Sequence, residues 1–136
     1  MIYYHDHHIR VYYEDTDAGG VVYYPNYLKF AERGRTEYLR SLGFENSQIH
    51  KELGIIIVVK KVEAEYLSPA RLDDRLTVAT RLISMKNTSF VMEQNILRDA
   101  GVIFTMSVVL VCVNGEGKPS RIPEYVRAAF LKEVNS

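Results

Sequence analysis

The sequence predicts an α+β fold, with one long helix laid against an antiparallel sheet. Three features predict it. Residues 27–42 place apolar or small side chains at spacings of three and four, the period of a helix with one buried face. Four segments rich in β-branched residues follow that helix, and one precedes it. Short turns such as Lys86-Asn87 and Asp99-Ala100-Gly101 join the later segments, as antiparallel neighbours require.

Residues 9–14, Ile-Arg-Val-Tyr-Tyr-Glu, read as the first β segment. His5, His7 and His8 precede it without the partner spacing that defines a metal site, so a solvated first strand is expected there and no metal. Residues 15–20 are turn chemistry ending in Gly19-Gly20. The helical stripe over 27–42 is Tyr27, Leu28, Ala31, Gly34, Tyr38, Leu39 and Leu42, and Gly43 is its stop. Gly34 in mid-helix costs about 1 kcal/mol relative to Ala, which points to close packing against something flat, such as a sheet. Residues 55–67, 75–84, 88–97 and 102–113 are the remaining strands. The last is almost continuously apolar and is expected to be covered on both faces or buried at an interface. Residues 123–133 suit a short amphipathic closing helix. One helix covers one face of a sheet, so the other face and the edges invite a second copy of the chain.

At 136 residues the chain is the length of one domain, 1–136, and can bury a real core. Seventeen basic residues balance seventeen acidic ones, so no global field draws the chain to nucleic acid. Any anionic ligand must be held by local groups. Cys112 is a lone cysteine and is expected to be buried and inert, in a reducing compartment. The N-terminus lacks the pattern of a signal peptide, and no apolar run approaches the ~20 residues of a membrane span. A cytoplasmic protein without stable membrane insertion is expected.

The chemistry-bearing segment runs from residue 11 to residue 27. Asp15 and Asp17 stand between a strand and a helix start, followed by two glycines. Such a loop can set a carboxylate beside free backbone N–H groups at a helix N-terminus, which can polarise a carbonyl and stabilise an oxyanion. The carboxylate can serve as a nucleophile or as general base for water. The same residue types are also ordinary turn and N-cap residues, so the loop by itself does not select this chemistry.

The stretch Tyr13-Glu-Asp-Thr-Asp-Ala-Gly-Gly-Val-Val-Tyr-Tyr-Pro-Asn-Tyr27, continued by Glu32-Arg-Gly-Arg-Thr-Glu37, resembles the signature of the 4-hydroxybenzoyl-CoA thioesterase family. It is especially similar to the bacterial acyl-CoA thioesterases of that family encoded beside the Tol–Pal envelope system. Glu65-Tyr-Leu-Ser-Pro-Ala-Arg-Leu-Asp-Asp74 and Thr88-Ser-Phe-Val91 extend the resemblance over nearly the whole chain. It implies a hotdog fold: a long central helix wrapped by a curved antiparallel five-stranded sheet, in homodimers or homotetramers with active sites at the dimer interface. It implies acyl-CoA hydrolysis without a cofactor. Asp17 is the matching catalytic carboxylate, as nucleophile or as general base. The backbone N–H of Tyr24 is the matching oxyanion donor, and Gly20 and Val21 shape the approach of the thioester. Asp15 orders the loop.

The chain departs from its Tol–Pal-associated relatives in carrying Tyr24 where they usually have His. At the CoA-binding hairpin only Lys86 is charged among Lys86, Asn87 and Thr88, so Arg81, Arg121 and Lys60 are further candidates for phosphate contacts. Weaker phosphate contacts leave room for an acyl-carrier protein as donor. Glu32 and Glu37 are reserve carboxylates on the helix. A binding module for acyl-CoA or acyl-carrier protein with little turnover is the rival function, and a hydratase would need a His such as His50 near Asp17.

Overall fold

The computed structural model describes residues 4–134. Strand β1 (His5–Arg10) leads through a 3-10 turn (Tyr13–Asp15) to helix α1 (Asn26–Ser41), and helix α2 (Asn46–Leu53) follows. Strands β2 (Ile56–Tyr66), β3 (Arg75–Met85), β4 (Ser89–Arg98) and β5 (Gly101–Val113) come next, and helix α3 (Glu124–Val134) closes the described chain. Among the described residues the five strands form one sheet in the order β1-β3-β4-β5-β2, with every pairing antiparallel. This is the α+β architecture expected from the sequence, a helix cradled by a five-stranded sheet.

Strand alternation sets the layers. Leu76, Val78 and Leu82 of β3, Phe90, Met92 and Ile96 of β4, and Phe104, Met106, Val108 and Leu110 of β5 are buried at every second position. They pack with Phe30, Ala31, Tyr38 and Leu39 of α1. Helix α3 adds Val126 and Phe130, and the Phe130 ring meets Tyr38 and Phe90. Strand β5 lies between β4 and β2; it alternates from Phe104 to Leu110 and is buried at every position only from Leu110 to Val113, so the expected two-faced cover holds for its end alone.

Four sequence expectations need correction. The first strand is His5–Arg10 rather than 9–14, because the carboxylate of Asp15 accepts the Tyr12 N–H and folds 13–15 into a 3-10 turn. That strand is not uniformly solvated either: the His5 ring stacks on Tyr38, and burial lowers its pKa. Helix α2 was not expected. It is eight residues long and buries only Ile49, too little for a periodic signal, although Gly54 closes it in the left-handed conformation that marks a helix end. On α1, Leu28 is exposed, and Phe30 takes its place in the buried stripe.

Gly34 answers to the predicted close approach. A Cβ there would stand 2.5 Å from Val78 Cγ1 and 3.3 Å from Gln94 Nε2. Gln94 is fully buried, and its Nε2 donates to the Ala31 carbonyl (2.8 Å) and to Thr80 Oγ1 (2.9 Å). Its Oε1 accepts from Arg35 Nη1 at 2.9 Å. The helix is thus clamped to β3 and β4 by contact and by hydrogen bonds together.

Gly34→Ala is expected to destabilise the protein by about 1–2 kcal/mol, because the overpacking cost exceeds the gain in helix propensity. Urea denaturation checks this, and Val78→Ala in the same chain should recover part of the loss.

Candidate active site

The loop between β1 and α1 folds as a small closed hairpin. Thr16 bridges Val22, the Asp17 N–H donates to Val21 O (2.9 Å), and Gly20 N–H donates to Asp17 O (3.0 Å). Gly20 has φ +80°, which explains glycine at that corner. The Gly19 N–H donates to Asp17 Oδ1 at 2.9 Å, holding the carboxylate in an Asx turn, and Asp17 itself is exposed.

Asp15 faces the other way. It is 5% exposed, and its oxygens accept the Tyr12 N–H and Asn26 Nδ2, both at 2.9 Å. Its carbonyl accepts the Tyr23 N–H at 2.9 Å. Asn26 is the first residue of α1 and is also buried. Asp15 therefore fastens the hairpin to the start of the helix, and its removal would leave buried donors unpaired at about 1–3 kcal/mol each.

The helix start offers fewer donors than the sequence suggested. Pro25 at the N-cap has no N–H, and those of Asn26, Tyr27 and Leu28 are taken by the carbonyls of Tyr23, Tyr24 and Pro25. The Tyr24 N–H has no acceptor among the described residues. The Tyr24 ring is 63% exposed and meets Tyr66 edge-on, while Tyr66 Oη donates to the Tyr24 carbonyl at 3.3 Å. Beside it, Val22, Tyr24, Tyr27, Tyr66, Leu67 and Ser68 line a shallow groove of about 280 Å³. Tyr27 anchors this wall, stacked on Phe104 and accepting the Ala70 N–H at 3.0 Å.

A more enclosed cavity of about 170 Å³ lies under the middle of α1, lined by Arg35, Leu39, Phe90, Met92, Leu110 and Phe130 among others. It shares no lining residue with the Asp17 hairpin. Arg35 stands roughly 13 Å along the helix from Asn26, at 1.5 Å per residue. Burial lowers the pKa of its guanidinium, which faces Gln94. The neutral aromatic groove, not this cavity, adjoins the loop donors.

The other expected residues lie apart from Asp17. Lys86 is exposed at the β3–β4 turn, and Thr88 follows it with its carbonyl accepting the Cys112 N–H. Arg121 joins this turn through Asn87 Oδ1 at 3.0 Å. Arg127, which sequence reasoning missed, donates to the Lys86 and Asn87 carbonyls at 2.7 and 3.2 Å. Arg81 is committed to Glu93 and lies over the Tyr4 ring, so it is not free for a phosphate. Lys60 is exposed at the irregularity in β2 between Val59 and Lys61. Glu37 pairs with Arg40, and Glu32 is exposed. His50 is exposed on α2.

Cys112 is 1% exposed, and burial pushes its thiol from 9.0 up to about 11. It is neutral at physiological pH and is no nucleophile. The folded-state pKa is the raised one, so its stabilising contribution is full below about pH 9 and is lost as pH climbs toward 11. An aromatic disulfide reagent at pH 8 should label it only upon unfolding, with one thiol appearing in step with loss of structure.

Among the described residues, no helix is long and apolar enough to cross a membrane. The profile of the thioesterase-like superfamily matches residues 11–130. The acyl-CoA thioesterase YbgC of Haemophilus influenzae is 44% identical over 123 residues, 90% of each chain. A gentisyl-coenzyme A thioesterase of known structure is 30% identical with a TM-score of 0.85, covering 92% of this chain and 98% of the other. A 4-hydroxybenzoyl-CoA thioesterase, solved as a variant with 4-hydroxybenzoyl-CoA, is similar in fold, with a TM-score of 0.85 at 22% identity over 91% of this chain and 96% of the other. The match spans the Asp17 hairpin, the helix and all of β2 to β5, and on it the chain belongs to the thioesterase-like superfamily.

Proposed function

We propose that this chain hydrolyses acyl-CoA thioesters to free acid and CoA at the Asp17 hairpin. The observation that carries the reading is a pairing on one short loop. An exposed carboxylate is held by its own hairpin, and five residues after the Gly19 that holds it comes Tyr24, whose N–H has no acceptor among the described residues. The thioester carbonyl oxygen takes the Tyr24 N–H, which stabilises the oxyanion as the carbon becomes tetrahedral. Asp17 either attacks that carbon to form a mixed anhydride that water then cleaves, or draws a proton from the attacking water. Both routes return the thiol of CoA. Gly20, with open space where a Cβ would stand, and Val21 admit the thioester. The aromatic groove beside Tyr24 receives the acyl group.

Lys86 and Thr88 on the β3–β4 turn, with Arg121 bonded to Asn87 beside them, take the CoA phosphates in this reading, and acyl-carrier protein is the alternative donor. The acyl-CoA specificity of the named relatives supports this substrate class. We further propose a homodimer or homotetramer, in one domain per chain, working in the cytoplasm. Strand β2 supports the assembly: it is an eleven-residue edge strand with Ile56, Val59 and Val62 exposed.

Free thiol release from short, long and aromatic acyl-CoAs tests the activity. Asp17→Asn should lower kcat by at least about 10²-fold, with the fold intact. A variant as active as wild type would make Asp17 structural and move attention to Glu32. Sedimentation velocity should give an even multiple of the protomer mass, and a monomer at micromolar concentration would remove the edge-to-edge assembly.

A further inference from the structure

We propose that Arg98 and Asp74 form a positioning pair for the Asp17 hairpin, an inference that rests on the thioesterase reading of that hairpin. Neither residue is in the hairpin or the helix, yet a continuous set of hydrogen bonds joins them to it.

Arg98 ends β4, and its Nη1 donates to Asp74 Oδ2 at 3.0 Å and to the Pro69 carbonyl at 2.8 Å. Asp74 Oδ2 also accepts the Arg71 N–H at 2.8 Å. Between these anchors the segment before β3 is fixed at both ends. The Val11 N–H donates to the Asp74 carbonyl (3.0 Å), and the Asp73 N–H donates to the Val11 carbonyl (3.0 Å). Asp73 holds φ +70°, a left-handed conformation that a non-glycine residue keeps only where its surroundings enforce it.

That segment is the outer wall of the hairpin. The Ala70 carbonyl accepts the Val22 N–H at 2.8 Å, and Arg71 bridges Val21. Val21 in turn accepts the Asp17 N–H at 2.9 Å. On its other side Ala70 donates to Tyr27 Oη, so the same wall touches the aromatic groove. The path from Arg98 to Asp17 is thus one guanidinium, one short loop and two backbone contacts. Asp17 and Tyr24 flank the two residues this wall holds, Val21 and Val22. A hairpin free to slide along the wall would move the carboxylate relative to the oxyanion donor. Misplacement by about 1 Å can cost a factor near 10² in rate.

Arg98 and Asp74 are both partly exposed, so their ion pair alone adds little to global stability. Its effect is expected to be local, and two readouts separate it from general destabilisation. In Arg98→Met, amide exchange over residues 16–24 should accelerate at least about tenfold, while β4 and β5 amides stay within about twofold of wild type. On an acyl-CoA that wild type hydrolyses, kcat should fall about 10- to 100-fold with KM changed less than about threefold. Arg98→Lys, which keeps a charged donor for Asp74, should recover most of kcat. Unchanged exchange over 16–24, or a loss confined to KM, would overturn the proposal. If Arg98→Met does not fold, Asp74→Asn carries the same two readouts with smaller shifts in the same direction, and no shift in its exchange overturns the proposal. A wild type inactive on every thioester would defeat the catalytic reading, and the exchange measurement would still decide the positioning.

Discussion

Everything in this molecule depends on how closely α1 sits on the sheet. Gly34 removes the one side-chain atom that would hold the helix away from Val78, and Gln94 reaches through the gap to the Ala31 carbonyl. Burying a primary amide costs free energy unless each of its groups is paired. Here Ala31, Thr80 and Arg35 pair them all. Packing brings the helix near, and the hydrogen bonds fix where along the sheet it stands. The position of its N-terminus, and of everything before it in the chain, follows.

The two aspartates of the loop differ in how their oxygens are used. Asp15 is buried and spends its oxygens on Tyr12 and Asn26, locking the hairpin to the seated helix. Asp17 is exposed and has one oxygen on the Gly19 amide, which leaves it open to a ligand. A carboxylate that must react has to keep lone pairs free, while one that must hold a turn has to use them. Two positions apart, the same side chain is used up in one place and left open in the other, because only Asp15 is buried against the start of the helix.

The alternation of β3 and β4, the helical stripe and the meaning of Gly34 were legible in the sequence because each follows from a period or a steric exclusion. Asp17 and Tyr24 stood out only through the family resemblance, since Asp and Gly in a turn do not by themselves announce chemistry. What the sequence concealed came from long-range partners. The placement of β1 over His5–Arg10 rests on its ladder with β3, which accepts polar side chains as readily as apolar ones. The burial of Asp15 depends on Asn26, and the fixing of the hairpin on Asp74 and Arg98 far along the chain. The shortage of free donors at the helix start was readable, because Pro25 carries no N–H and forces the next amides back onto the turn.

The hairpin of residues 16–22 is closed on itself, on the helix and on the wall at Ala70 and Arg71. This has an evolutionary consequence. A loop tied on three sides cannot gain or lose a residue without breaking one of its ties, so descendants of this chain cannot retune their reaction by lengthening it. On the proposed reading, divergence toward new acyl groups is left to the groove walls at Tyr24, Tyr66 and Leu67, where side chains can change size. The inherited part of the enzyme is then the loop, and the part free to drift is the surface facing it.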